Sequence, residues 1–264
     1  MNGTIIAGLI TFLTESVLFP SLSTRKKLAF RYLRGTGLEI GALQHPLKVP
    51  PGVTVRYVDY VTREENIRRY PHLDESRIVT TDHIDDGFTL TTIPPDSQDF
   101  VIANHLLEHT PNPLQTLLNW SRVLKKGGIL FITLPNGSRN FDQGRGITPL
   151  EHILEDYELE KDGDLEQFAR NNREHYREFV EISIPNLNRM RNRRPMTEDR
   201  KHEYLEQLAE EKSTDAHFHV FTRKSMNQLC NHLIATYAHD LSLKETVRSR
   251  FGHEYVLVLK KHDP

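Results

Sequence analysis

The 264-residue chain contains one cysteine, Cys230, and one tryptophan. A lone thiol excludes a disulfide framework and a cysteine-ligated zinc site, and it suits a reducing, cytoplasmic compartment. No apolar run reaches the ~20 residues that a membrane-spanning helix needs. An excess of one charge is missing as well. With 34 Lys+Arg against 36 Asp+Glu the formal net charge is −2, so the bulk electrostatics carry no footprint for nucleic acid. The most apolar stretch, residues 5–19, is interrupted by Thr11, Thr14, Glu15 and Ser16, and neither a basic segment before it nor a small-residue cleavage site after it makes a signal peptide. Ile6, Ile10, Leu13 and Val17 follow helical spacing instead. The expectation is an amphipathic helix packed on its own domain or on a homodimer partner. Arg25, Lys26 and Lys27 leave open a peripheral contact with the inner face of a membrane.

What is present is an alternation of strand and helix patterns. Residues 37–47, Gly-Leu-Glu-Ile-Gly-Ala-Leu-Gln-His-Pro-Leu, read as a short buried strand that ends near Glu39 and turns at Gly41. A second strand, residues 55–59, ends in Asp59, at the spacing where a carboxylate reaches ribose hydroxyls in a doubly wound sheet. Pro46, Pro50, Pro51 and Gly52 leave room for at most one helical turn between these strands. A basic helix is expected over 24–33 and a short one over 63–70. A third strand is expected over 77–81, ending at Asp82, and a fourth over 99–103. A helix over 114–124 closes on Lys125, Lys126 and Gly127-Gly128, and a fifth strand, 129–134, follows at once. This strand–helix–strand unit signals a parallel sheet. Residues 137–216 break the rhythm, being polar and densely charged, and read as a helical insertion. A helix over 222–233 and two strands over 241–248 and 255–259 then close the chain as an antiparallel hairpin.

Together, Glu39-x-Gly41, Asp59, Asp82, the 99–109 segment with its Glu-His ending, and Leu-Lys-Lys-Gly-Gly-Ile-Leu resemble the class I S-adenosylmethionine-dependent methyltransferases. The Leu-Glu-Ile-Gly-Ala turn, Asn-Phe-Asp-Gln-Gly-Arg at 140–145, Thr-Pro-Leu-Glu-His at 148–152 and His-Phe-His-Val-Phe-Thr at 217–222 resemble a bacterial subgroup associated with surface-polysaccharide genes. The resemblance implies an α/β, Rossmann-like doubly wound sheet of order 3-2-1-4-5-7-6 with the last strand antiparallel. It divides the chain into N-terminal helices (1–36), a cofactor-binding core (37–136), an acceptor-covering insertion after strand five (137–216) and the remainder of the core (217–264).

The same resemblance implies S-adenosyl-L-methionine as cofactor. Glu39, Gly41 and Ala42 would line its methionine and ribose, Asp59 with Tyr60 the ribose, Asp82 with His83 the adenine, and Asn104 with His105 the methionine and sulfonium. Leu43 stands where such turns carry a second glycine. The implied product is an O-methylated sugar hydroxyl of a glycan or glycan precursor.

Methyl transfer from a sulfonium is a displacement in which alignment does most of the work, and a hydroxyl acceptor gains from a histidine base. Fourteen histidines are available, of which His105, His217 and His219 are the catalytic candidates, with His109, Asp142 and Arg145 as acceptor contacts. His217 and His219, as alternate residues of a strand, would share a face suited to a metal. No second pair has matching spacing, and no metal is expected. The arginines at 189–194 read as a solvated helix face. A catalytically silent methyltransferase-like domain that binds a ligand or partner is the alternative. A nicotinamide-dependent enzyme is disfavoured by the missing third glycine and the terminal hairpin.

Overall fold

A computed structural model describes residues 22–262; the amphipathic helix expected over 5–19 lies outside them. The chain forms a seven-stranded sheet of order β3-β2-β1-β4-β5-β7-β6. Its strands are β1 (Thr36–Ile40), β2 (Thr54–Asp59), β3 (His83–Ile84), β4 (Gln98–Asn104), β5 (Leu124–Pro135), β6 (Leu241–Arg248) and β7 (Glu254–Lys261). β1 to β5 pair in parallel, and β7 runs antiparallel to both β5 and β6.

Residue alternation makes the strands two-faced. Phe100 and Ile102 of β4, Phe131 of β5 and Val256 and Val258 of β7 pack with Leu28, Ala29 and Leu33 of helix α1 (Leu22–Tyr32) or its exit. Val101, Ala103, Leu130, Ile132 and Leu257 point the other way, where α3 (Pro113–Val123) supplies Leu114, Leu117 and Trp120. On that face α8 (Arg223–Thr236) adds Met226, Leu229 and Leu233. Both faces are therefore covered, as a largely parallel sheet requires. α8 starts at a capping box in which Thr222 and Ser225 satisfy each other's backbone N–H groups. Asn112 caps α3, whose first residue is Pro113.

The third strand departs from expectation. Residues 77–81 carry β-branched side chains, yet residues 75–77 form a 3-10 turn capped by Asp74, and pairing with β2 begins only at His83. The reason is that the backbone is committed elsewhere. Val79 N–H donates to Leu43 C=O at 2.9 Å, and Arg63 Nε donates to Ile78 C=O at 2.9 Å. The fifth strand starts earlier than expected, at Leu124. Residues 125–128 loop out as a bulge against β4, with Gly127 at φ +80°. Residues 41–53 contain no helix, and α2 (Arg63–Arg69) follows β2.

Between β5 and α8 lie α4 (Leu150–Asp162), α5 (Leu165–Glu178), α6 (Ile184–Met190) and α7 (Glu198–Glu210), with a π-helical turn, Phe179–Ser183, joining α5 to α6. They enclose their own apolar cluster of Tyr176, Phe179, Val180, Ile184, Leu187, Tyr204 and Leu208, closed by Phe141 and Phe218. Arg189, Arg193 and Arg194 are exposed. Among the described residues no helix is long and apolar enough to cross a membrane.

Candidate active site

A cleft of about 730 Å³ opens at the carboxyl ends of β1, β2, β3 and β4. That is the crevice where the strand order reverses between β1 and β4 and where open α/β sheets bind ligands. Ile40, Gly41 and Leu43 form one wall, Asp59 and Tyr60 the next, then residues 84–88. Asn104, His105, Leu106 and His109 lie opposite, and residues 211–215, just after α7 (Glu198–Glu210), close the far rim.

Gly41 sits at φ +63° with open space where a Cβ would project, so backbone can meet a ligand directly there. Leu43 holds φ +46°, the left-handed conformation that glycine adopts freely. The substitution noted in the sequence thus keeps the glycine-like turn, while the buried side chain anchors it. Ala42 does not line the cleft.

Glu39 is 1% exposed and lies behind the wall, not on it. Its carboxylate accepts from Leu47 N–H at 3.0 Å and from Asn104 Nδ2 at 2.9 Å. Burial pushes its pKa up to about 7, against the pull of those two hydrogen bonds. Glu39 therefore fastens the loop after β1 to the end of β4. Asn104 is held from its other side by Thr133 Oγ1 at 3.0 Å.

Asp59 accepts from Asn66 Nδ2 at 3.0 Å through Oδ2, whereas its buried Oδ1 has no partner. Burial raises its pKa, and the Asn66 hydrogen bond offsets this only in part. Tyr60 and Ile84 are exposed apolar residues beside it. Asp82 and His83 are not on the cleft, contrary to expectation. Asp82 Oδ2 accepts from Tyr57 N–H at 2.7 Å, which turns it onto the β2 backbone, and the chain reaches the cleft only at Ile84. Asp85 is tied down by Thr91 Oγ1 and Thr92 N–H at 3.0 and 2.7 Å, shaping the loop that continues the wall.

His105 follows β4 at φ +51°, an uncommon conformation for a side chain this large. Its Nε2 is 2.7 Å from Arg25 Nη2 and 3.0 Å from Glu254 Oε2; its Nδ1 faces Glu108 Oε1 at 3.4 Å. Burial alone would depress the imidazole, but the Glu108 and Glu254 carboxylates beside it outweigh this and the pKa is raised. Arg25 and Glu254 form an ion pair behind it. Burial would raise the Glu254 carboxyl, yet Arg25 and His105 hold it far below the ordinary range. As site residues Arg25, Glu108 and Glu254 were not singled out from the sequence, where Arg25 figured only as a membrane-facing cation. Only Glu108 left a trace there, in the Glu-His ending after β4.

The other expected site residues lie deeper. His217 and His219 are 0% and 1% exposed, and neither lines the cleft. Residues 217–221 belong to no strand, and the two imidazoles meet different partners. His217 Nδ1 donates to Asp142 Oδ2 at 2.6 Å and its ring lies 4.6 Å from that of His109. His219 Nε2 donates to Pro111 C=O at 3.3 Å and its ring lies 4.9 Å from that of His175. Burial keeps the His219 pKa well below the ordinary value.

Arg145 and Asp142 are buried and do not line the cleft. The Arg145 guanidinium donates to His217 C=O at 2.7 Å, Phe218 C=O at 3.0 Å, Asp142 Oδ1 at 3.2 Å and Glu178 Oε2 at 3.2 Å. His109 does reach the cleft. Its Nδ1 donates to Thr214 and Ala216 C=O at 2.8 and 3.1 Å, pinning the far rim, and burial lowers its pKa to about 4.

Sheet order, antiparallel β7 and a cleft at the switch point define a Rossmann-like methyltransferase fold. The chain belongs to the methyltransferase-domain family, whose model matches residues 33–233. No curated protein matches the chain. Among solved structures, a SAM-dependent methyltransferase from Aquifex aeolicus is 11% identical over 97% of this chain and 98% of that one, with a TM-score of 0.49. A possible histamine N-methyltransferase from Thermotoga maritima is 16% identical over 96% and 98%, with a TM-score of 0.44. A protein described as a putative Zn-dependent alcohol dehydrogenase from Rhodobacter sphaeroides is 14% identical over 98% and 99%, with a TM-score of 0.52. At that identity only the fold is shared.

Proposed function

We propose that the chain transfers the methyl group of S-adenosylmethionine to a hydroxyl oxygen of a sugar in a surface glycan or its precursor. The observation that carries the cofactor half of this reading is Asp59. It is a carboxylate at a strand end in the cleft wall, with one buried oxygen lacking a partner, and a ribose hydroxyl is the donor such an oxygen suits. Tyr60 and Ile84 would take the faces of the adenine ring, and the open backbone at Gly41 would admit the ribose and methionine.

Bound S-adenosylmethionine supplies an electrophilic methyl group that an acceptor oxygen takes by direct displacement. The chain's own part is alignment and proton removal. Asn104, fixed by Glu39 and Thr133, would orient the methionine end. His105 is the proposed general base, being the one of the three catalytic candidates on the cleft. Residues 211–215, a polar run of Glu-Lys-Ser-Thr-Asp, support a hydroxyl-rich acceptor. The sugar itself rests on the resemblance of the 140–152 and 217–222 motifs.

The reading is tested by incubating the protein with labelled S-adenosylmethionine and nucleotide-sugar or polysaccharide fractions. Label that survives alkali as a methyl ether supports it. Label released by alkali as a methyl ester, or found only on protein or nitrogen, contradicts the O-methyl ether.

A further inference from the structure

Beside the cleft lies a group of side chains that the methyl-transfer reading does not use. Glu108 is fully buried, and neither carboxylate oxygen has a hydrogen-bond partner. An ionised carboxylate so placed is costly unless something cationic completes it. Around it stand His109 and His217, and one ligand atom from each of the three residues lies within 4.8 Å of the other two. His105 Nδ1, at 3.4 Å, is in ion-pair range but makes no hydrogen bond with the carboxylate.

The tautomers are fixed from outside the group. His217 Nδ1 donates to Asp142 and His109 Nδ1 donates to backbone carbonyls, so in each neutral ring the lone pair sits on Nε2. Nε2 of His217 is buried and has no partner. Asp142 is itself steadied by Ser183 Oγ at 2.7 Å and by Arg145. Carboxylate or carbonyl behind each imidazole is the outer arrangement that metal-binding histidines carry.

We propose that Glu108, His109 and His217 bind one divalent transition-metal ion of the zinc, manganese or iron(II) kind, beside the cleft that His109 lines. Two imidazoles and a carboxylate suit that class and do not suit magnesium or calcium. Three protein ligands leave the ion room for an acceptor oxygen, which it would orient and acidify next to His105. This last role rests on the methyl-transfer reading; the site itself does not.

A second group, His152, Asp156 and His175, has similar spacing, but there the two Nε2 atoms lie 2.9 Å apart and hydrogen-bond to each other. The inferred site is therefore the one beside the cleft, and the experiment separates the two.

Full-length protein stripped with a chelator is titrated calorimetrically with Zn²⁺, and with Co²⁺ by absorption, while S-adenosylhomocysteine binding is measured in parallel. The expected result is one ion per chain with Co²⁺ ligand-field bands. Glu108→Gln and His217→Asn should abolish both, and His152→Ala should leave both unchanged. Asp142→Asn keeps all three ligands but replaces the carboxylate behind His217 with a neutral amide. It should weaken the ion about 10- to 100-fold, and it remains readable if a ligand variant fails to fold. No ion bound, or binding lost in His152→Ala and retained in Glu108→Gln and His217→Asn, overturns the proposal. If S-adenosylhomocysteine binds and the ion does not, this inference alone falls. If the ion behaves as expected and S-adenosylhomocysteine does not bind, the methyl-transfer reading falls and the site stands.

Discussion

Glu39 and Asn104 meet across neighbouring strands, the Asn104 Nδ2 donating to Glu39 Oε1 at 2.9 Å. The bond joins the ends of β1 and β4 at the point where the sheet reverses its order. It sets the two walls of the cleft relative to each other, and a second bond from Leu47 N–H to the same carboxylate closes the loop between them.

That buried carboxyl makes stability depend on pH. Its folded pKa, about 7, lies above the ordinary 4.5. Between those values the folded chain holds a proton that the unfolded chain has released, so the Glu39 contribution falls as pH rises through this window and is lost above about 7. The effect is on the order of 3 kcal/mol. Glu39→Gln keeps an acceptor for Leu47 and Asn104 but cannot ionise. Thermal unfolding followed from pH 5 to 8 should therefore show a flatter profile in the variant. Parallel profiles would remove Glu39 as the source.

Asp59→Ala should weaken S-adenosylhomocysteine binding about 10- to 100-fold, the loss of a hydrogen bond to a charged group. The fold should persist, because Asn66 is the one side chain the carboxylate hydrogen-bonds among the described residues. Calorimetric titration at matched temperature reads this directly, and an unchanged affinity would take Asp59 out of the cofactor site.

Arg145→Lys tests whether the buried guanidinium is scaffold. Lysine cannot reproduce the fork that holds His217 and Phe218 C=O together with Asp142. Disrupting a buried pair of this kind costs about 3 kcal/mol or more. The variant should unfold at clearly lower temperature, yet bind S-adenosylhomocysteine normally while folded. A selective rise in KM for the acceptor with unchanged thermal stability would return Arg145 to the acceptor surface.

His105→Asn retains a residue that tolerates the left-handed backbone. With the base removed, kcat should fall about 10²-fold or more, while cofactor affinity stays within a few-fold. Loss of binding with kcat intact in the residual complex would assign His105 to cofactor contact instead.

The sheet was legible because its strands are short apolar runs punctuated by Gly, Pro and acids, and because a link of a few residues between the last two strands permits only a hairpin. β3 was not, since Val79 and Ile78 spend their backbone groups on Leu43 and Arg63, contacts that no local pattern records. Strand-end positions such as Asp59, Asn104 and His105 were readable for the same reason as the strands. His217 and His219 looked like catalytic bases, and Asp142 and Arg145 like acceptor contacts, because their residue types suit that chemistry. Whether a polar side chain faces solvent or a buried partner is set by the packing of the helices between β5 and α8. Arg25 and Glu254 lie 229 residues apart, and nothing in the sequence links them before the sheet closes.

The most direct measurement is calorimetric titration of the purified protein with S-adenosylmethionine and S-adenosylhomocysteine, with NAD as control. Micromolar binding of the first two, with no heat from NAD, is the predicted result. Binding of NAD in their place, or of none of the three, would contradict the account.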